Sequence, residues 1–178
     1  MTGLSREYGD GLYELARDEN IRPQIHEELM AIWNLMKEQP EFMRLLSSRA
    51  IERDTRLQVV EETFGGRAHP YLVNFIKLMV EKERFDAFES CVKWFHQRYN
   101  EDFGIVEAQV TSAVELTLAD REALKEKLQQ LSGRKVSLIT RVDPSILGGV
   151  RVEMDGKRYD NTIQNKLGRL RRSLAQGM

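Results

Sequence analysis

The chain has 178 residues, 41% of them hydrophobic, with a mean hydropathy of −0.49, which suits one medium or two small water-soluble domains. Its 27 Lys and Arg nearly cancel its 28 Asp and Glu, so no global field draws it toward nucleic acid, anionic lipid or a cationic partner. Cys91 is the single cysteine, which rules out an internal disulfide and a multi-cysteine zinc site and suits a reducing compartment.

From Leu4 to about Phe103 the apolar residues recur at three and four, and the prolines of this stretch, Pro23, Pro40 and Pro70, stand where helices begin. Leu4, Tyr8, Leu12 and Leu15 form a first stripe. Ile21, Ile25, Leu29, Ile32 and Met36 form a second, with Trp33 beside it. A short third helix fits Glu41 to Leu46. Leu57, Val60 and Phe64 line a fourth, which Gly65-Gly66 ends because successive glycines are costly in a helix. Leu72, Phe75, Ile76 and Met79 line a fifth. Phe85, Phe88, Val92, Phe95 and Tyr99 fall on one face of a sixth, expected to be the central rib.

At Gly104 the period changes to two. Val106, Ala108 and Val110, then Val136, Leu138, Thr140 and Val142, then Val150, Val152 and Met154 alternate with polar residues as half-buried strands do. Asp155-Gly156 is a two-residue turn that folds Val150–Met154 onto Lys157–Tyr159 as a hairpin. Between the first two strands Thr117 caps a helix carrying Leu124, Leu128 and Leu131, with Gly133 after it. Asp160 or Thr162 caps a last helix with Ile163, Leu167, Leu170 and Leu174 on one side. The fold class is therefore α+β: a six-helix amino-terminal bundle over residues 1–104, then a small α/β domain over 105–178 with a β-hairpin and two helices.

Catalytic chemistry finds little support. Neither GxxxxGK[ST] nor GxGxxG occurs, so the usual glycine-rich phosphate cradle is missing. His26-Glu27-Glu28-Leu29-Met30 starts like a zincin helix, but Met30 stands where the second histidine ligand belongs. His26, His69 and His96 are far apart in the chain and can pair only through long-range folding. No apolar run approaches the ~18 to 20 residues of a bilayer span, and Met1–Asp10 lacks the order of a secretory signal. The expectation is a cytosolic chain, or one peripheral to a membrane on its cytosolic side, with no cofactor and no metal.

Two features point to partners. The first and fifth helices can leave a groove for an amphipathic partner helix, walled by Tyr8, Leu12, Leu15, Leu72, Val73, Ile76 and Val80, although the same seven fit an ordinary core. Residues 151–178 carry a local net charge of +4, a candidate face for RNA or an acidic segment. No aromatic residue follows Tyr159 on which a base could stack, so a solvated helix face is the simpler reading. Gly148-Gly149 ahead of a strand reads as a bulge or close backbone approach.

The run Val106-Glu107-Ala108-Gln109-Val110-Thr111-Ser112-Ala113 with Leu116-Thr117, then Val142-Asp143-Pro144-Ser145-Ile146-Leu147-Gly148-Gly149-Val150-Arg151-Val152, then Tyr159-Asp160 leading to Leu167-Gly168-Arg169-Leu170, closely resembles the delta subunit family of bacterial F-type ATP synthases. The mitochondrial counterpart is the oligomycin-sensitivity-conferring protein. Leu12-Tyr13-Glu14-Leu15-Ala16 and Asn74 to Arg84 resemble the family's first and fifth helices. Departures are local: Gly9 and Gly11 stand where the family usually has alanine, which should weaken the first helix by roughly 0.5 to 1 kcal/mol each. Asp160-Asn161-Thr162 replaces the usual Asp-Gly-Ser, and no proline follows the third helix.

The resemblance implies a non-catalytic stator part of a proton-driven ATP synthase, present in one copy per complex on the cytoplasmic face of the inner membrane without inserting into it. Its helical domain would grip amino-terminal helices of the alpha subunits through the seven groove residues. Its carboxy-terminal domain would bind the ends of the peripheral-stalk b subunits through Leu167, Leu170 and Leu174. An RNA-binding module and a helical adaptor of another assembly are the alternatives.

Overall fold

The computed structural model describes the backbone of residues 3–160 and side chains from Arg6 onward. Leu4's place in the first stripe, and the last helix with Ile163, Leu167, Leu170 and Leu174, lie outside the described residues. The chain divides into two compact units between Glu101 and Asp102. The fold is α+β. The described residues hold seven α-helices, where the sequence pattern with its last helix leads to eight.

Six helices make the first unit: α1 Gly3–Asp18, α2 Arg22–Glu38, α3 Pro40–Ser47, α4 Arg53–Phe64, α5 Pro70–Glu81 and α6 Phe88–Asp102. Proline occupies the first turn of α2, α3 and α5, where its missing N–H costs nothing. His69 caps α5 by accepting a hydrogen bond from the Tyr71 N–H (3.2 Å), and its own N–H is taken by Glu28 Oε2 at 2.6 Å. α4 ends at Gly65 as expected.

Two expectations need correction. Phe85 is not in the sixth helix but in a 3₁₀ turn, Phe85–Ala87, which the left-handed Glu83 (φ 53°) sets up. The stripe survives the junction, because Phe85, Phe88, Val92 and Phe95 are all buried, with Phe85 and Phe88 stacked 5.1 Å apart. Nor is α6 the sole central rib. α5 buries Leu72, Val73, Phe75, Ile76, Met79 and Val80, half of its length, and so packs on more than one side.

The link after α3 needs no proline. Arg56 on α4 is buried, donating from Nη1 to the Leu46 carbonyl (3.1 Å) and from Nε to the Ile51 carbonyl (3.2 Å). Carbonyls left without helical partners at the end of α3 and in its link are thereby satisfied by a side chain.

α1 is held against α6. A Cβ on Gly9 would lie 2.8 Å from Trp94 Cδ1 and 3.3 Å from the Cys91 carbonyl oxygen, so this glycine permits the close approach. Trp94 Nε1 donates to Asp10 Oδ1 at 2.9 Å, Arg98 bridges Asp10 and Glu14, and Arg6 lies over the Trp94 ring at 4.4 Å. Burial would push the Asp10 carboxyl up, but the hydrogen bonds from Trp94 and Arg98 and the nearby guanidinium charges outweigh it and hold the carboxyl below its ordinary range.

α2 is tied to α6 through histidines that are seventy residues apart in sequence. His26 Nε2 lies 2.7 Å from His96 Nδ1, His96 Nε2 lies 3.1 Å from Asn100 Nδ2, and the His26 ring stacks 3.9 Å from Tyr99. Burial, helped by His96, lowers His26 to about 4. At pH 7 His26 is therefore neutral, so one of the two facing ring nitrogens can accept a hydrogen bond from the other.

In the second unit β1 Ile105–Ser112, β2 Lys135–Val142, β3 Val150–Met154 and β4 Lys157–Asp160 form a mixed sheet of order β2-β1-β3-β4. β1 and β2 are parallel and joined through α7 Leu118–Ser132; β3 and β4 are the expected hairpin, with Asp155 and Gly156 at φ 51° and 70°. Thr117 Oγ1 accepts from the Asp120 N–H, and Gly133 closes α7 at φ 68°. Val106, Ala108, Val110, Val136, Val152, Met154 and Leu128 form the core. Leu131 and Val142 do not join it: they are 69% and 48% exposed, at the last turn of α7 and the end of the edge strand.

Two consequences are measurable. Gly9→Ala improves helix propensity yet should destabilise the protein by about 1 to 3 kcal/mol, because the methyl overpacks against an anchored tryptophan; urea unfolding at pH 7 reads the sign. Because His26 binds its proton more weakly when folded, stability should fall as pH drops from about 6.5 to about 4, by up to ~3 kcal/mol. The Asp10 contribution, present above its unfolded pKa, is lost only at still lower pH. Urea midpoints at pH 7, 5.5 and 4.5 should drop less for His26→Gln than for the unaltered chain.

Candidate functional site

α1 and α5 each reach the core with one set of side chains and present another to an open groove between them. From α1 come Glu7, Tyr8, Gly11, Leu12 and Leu15; from α5 come Tyr71, Asn74, Phe75 and Leu78. The volume is about 420 Å³. Both walls follow the same frame of i, i+3, i+4 and i+7, with tyrosine first and leucine last, which is the spacing of one helical face. Leu15 and Leu78 are each 39% exposed, apolar side chains left in contact with water.

The structure separates the seven groove residues expected from sequence. Tyr8, Leu12 and Leu15 line the groove. Leu72, Val73, Ile76 and Val80 do not: all four are at most 5% exposed and belong to the core. The wall on α5 is one step round the helix, at Tyr71, Asn74, Phe75 and Leu78, and sequence reasoning missed it. A signal was present. The stripe 72, 73, 76, 79, 80 is wholly apolar, whereas the stripe 71, 74, 75, 78 is interrupted by Asn74, and in the interrupted one Asn74 and Leu78 are exposed while Phe75 is buried.

Leu167, Leu170 and Leu174, the expected stalk contacts, lie outside the described residues. Within them the second unit has another exposed apolar group. Ser112 pairs with Val142 and with Val150, and at this end of the sheet or in the connections leaving it stand Val142, Val114, Leu118 and Leu147, the last three 70 to 81% exposed. The Asp143-Pro144-Ser145 turn shapes that end: Asp143 Oδ1 accepts from the Ser145 hydroxyl (2.6 Å) and N–H (3.0 Å), which hold its carboxyl below the ordinary range. Ile146 tucks into the interior, and Gly148 and Gly149 take φ 126° and 85°, so this glycine pair serves the backbone turn.

Among the described residues no group of three or more His, Cys, Asp or Glu is placed to hold a metal ion, and no helix is long and apolar enough to cross a membrane. Cys91 is buried, its thiol pushed up to about 11 by desolvation, which suits packing and not nucleophilic attack. Two arginines of the hairpin are engaged, Arg151 with Asp160 (3.5 Å) and Arg158 with Glu153 (3.4 Å).

Residues 4–174 match the family model described as ATP synthase delta (OSCP) subunit. The ATP synthase subunit delta of Geobacillus sp. (strain WCH70) is 30% identical over 172 residues, covering 96% of each chain. That of Synechocystis sp. (strain ATCC 27184 / PCC 6803 / Kazusa) is 28% identical over 176 residues, covering 98% of this chain and 95% of its own. A chain in the cryo-EM structure of the Toxoplasma gondii mitochondrial ATP synthase hexamer shares the fold with a TM-score of 0.72 at 17% identity, covering 98% of both chains. On these matches the chain belongs to the ATP synthase delta (OSCP) family, as a non-catalytic stator subunit.

Proposed function

We propose that the chain joins the catalytic head of the ATP synthase to its peripheral stalk, the first unit holding the head and the second holding the stalk. The groove between α1 and α5 takes an amino-terminal helix of an alpha subunit. Its open apolar floor, framed by two helices with matching spacing, is the observation that carries this reading. An amphipathic helix with anchors at i, i+3 or i+4 and i+7 covers Tyr8, Leu12 and Leu15 on one side and Tyr71, Phe75 and Leu78 on the other.

The carboxy-terminal α/β domain, residues 105–178, receives the ends of the b subunits. Its exposed Val114, Leu118, Val142 and Leu147 supply apolar surface for that contact, in addition to the expected Leu167, Leu170 and Leu174. One copy works per complex, peripheral to the cytoplasmic face of the inner membrane. Torque from the central shaft drags on the head, and the joint resists it without any titrating group. It needs only interfaces that dissociate slowly against the motor's turnover. RNA binding is disfavoured because Arg151 and Arg158 of the hairpin already face carboxylates and no aromatic residue follows Tyr159.

Leu15→Asp and Leu78→Asp place a charge in the groove at exposed positions, so each should weaken binding of a synthetic alpha-subunit amino-terminal peptide by roughly thirtyfold or more while helical circular dichroism stays unchanged. Ile76→Asp should instead unfold the first unit. Removal of residues 162–178 should abolish binding to b-subunit ends and spare the peptide; equal loss of both would defeat the division of labour.

A further inference from the structure

Gly11 stands in the interior of α1, where glycine costs about 0.5 to 1 kcal/mol against alanine. Nothing among the described residues requires it. Its φ is not in the left-handed region that Gly66, Gly104, Gly133, Gly148, Gly149 and Gly156 occupy. A Cβ built on it meets no atom of the described residues within 4 Å, in contrast to Gly9 two residues earlier, where the same atom would strike Trp94. A helix-weakening residue that the folded chain does not need is expected where function needs the space.

The position fits that expectation. Gly11 lies in the lining of the groove, three residues after Tyr8 and four before Leu15, at the i+3 place of the α1 frame. The corresponding place in the α5 frame holds Asn74, a short exposed amide. Both walls therefore lack apolar bulk at the same step of their frames, between residues that have it. We propose that Gly11 is a specificity-determining position of the groove: its missing side chain is a slot that seats a large apolar side chain of an amphipathic partner helix. This rests on the reading that the groove takes the alpha-subunit helix. It adds which step of that helix is selected for size. Glu7, the charged residue of the lining, favours a basic residue beside that anchor.

The full chain and its Gly11→Ala, Gly11→Leu and Leu15→Asp variants are titrated calorimetrically with a synthetic peptide of the alpha-subunit amino-terminal segment, and each is melted alone. Gly11→Ala should melt about 2 to 8 °C higher yet bind the peptide about three- to tenfold more weakly. Gly11→Leu should lose roughly a hundredfold with its helical signal intact. A lower melting temperature for Gly11→Ala would show that the fold itself needs the glycine, and unchanged or tighter binding by both glycine variants would show that the slot is not used. Either result overturns the proposal. If the unaltered chain fails to bind, or Leu15→Asp binds as well as it does, the groove reading falls and the slot with it. If Leu15→Asp alone loses the peptide, the groove stands and only the role of Gly11 is withdrawn.

Discussion

Two helices of this chain carry more apolar surface than their own fold can bury, and everything functional about the first unit depends on that surplus. α5 buries Leu72, Val73, Phe75, Ile76, Met79 and Val80, and α1 buries Leu12, Tyr13 and Ala16. Each then has a leucine left over on the groove side, Leu15 and Leu78, at 39% exposure. Burying a single such side chain is worth roughly 1.5 to 3 kcal/mol, so water-exposed Leu15 and Leu78 represent free energy that a partner helix can collect. The surplus stays available because α1 is fixed elsewhere, by the close approach at Gly9 and the polar links from Asp10 and Glu14 to Trp94 and Arg98.

That fixing matters for a joint under load. A docking groove transmits force only if its walls hold their spacing. α1 is locked to α6 by the Asp10–Trp94–Arg98 set and α2 to α6 by the His26–His96 contact, so α6 ties both helices by polar contacts that its phenylalanine stripe alone would not supply. Such links fix geometry more than they add stability, since partly exposed ion pairs contribute little. Specific position is what a stator needs from them.

Much of this was legible in the sequence. The 3.6 period, three prolines at helix starts, Gly65 and Gly133 at helix ends, the switch to alternation after Gly104 and the Asp155-Gly156 turn all act locally, and each appears where the pattern puts it. What escaped depended on tertiary choice. Periodicity shows that α5 has two apolar stripes but not which one the other helices cover, so Leu72, Val73, Ile76 and Val80 fit either a groove or an ordinary core on sequence alone, and the structure buries all four. Arg56 looks like a solvated residue on α4 until the carbonyls of Leu46 and Ile51 come within its reach. Gly9 and Gly11 look alike in sequence; only the position of Trp94 distinguishes a glycine the fold needs from one it does not.

The central claim is that a head-derived helix occupies the surface between α1 and α5. Amide and methyl chemical shifts of the labelled full-length chain, followed during titration with the alpha-subunit amino-terminal peptide, test it most directly. The account predicts saturable changes concentrated at Tyr8, Gly11, Leu12, Leu15, Tyr71, Asn74, Phe75 and Leu78, with the sheet of the second unit silent. Changes centred on residues 105–160, or none at peptide excess, would contradict it.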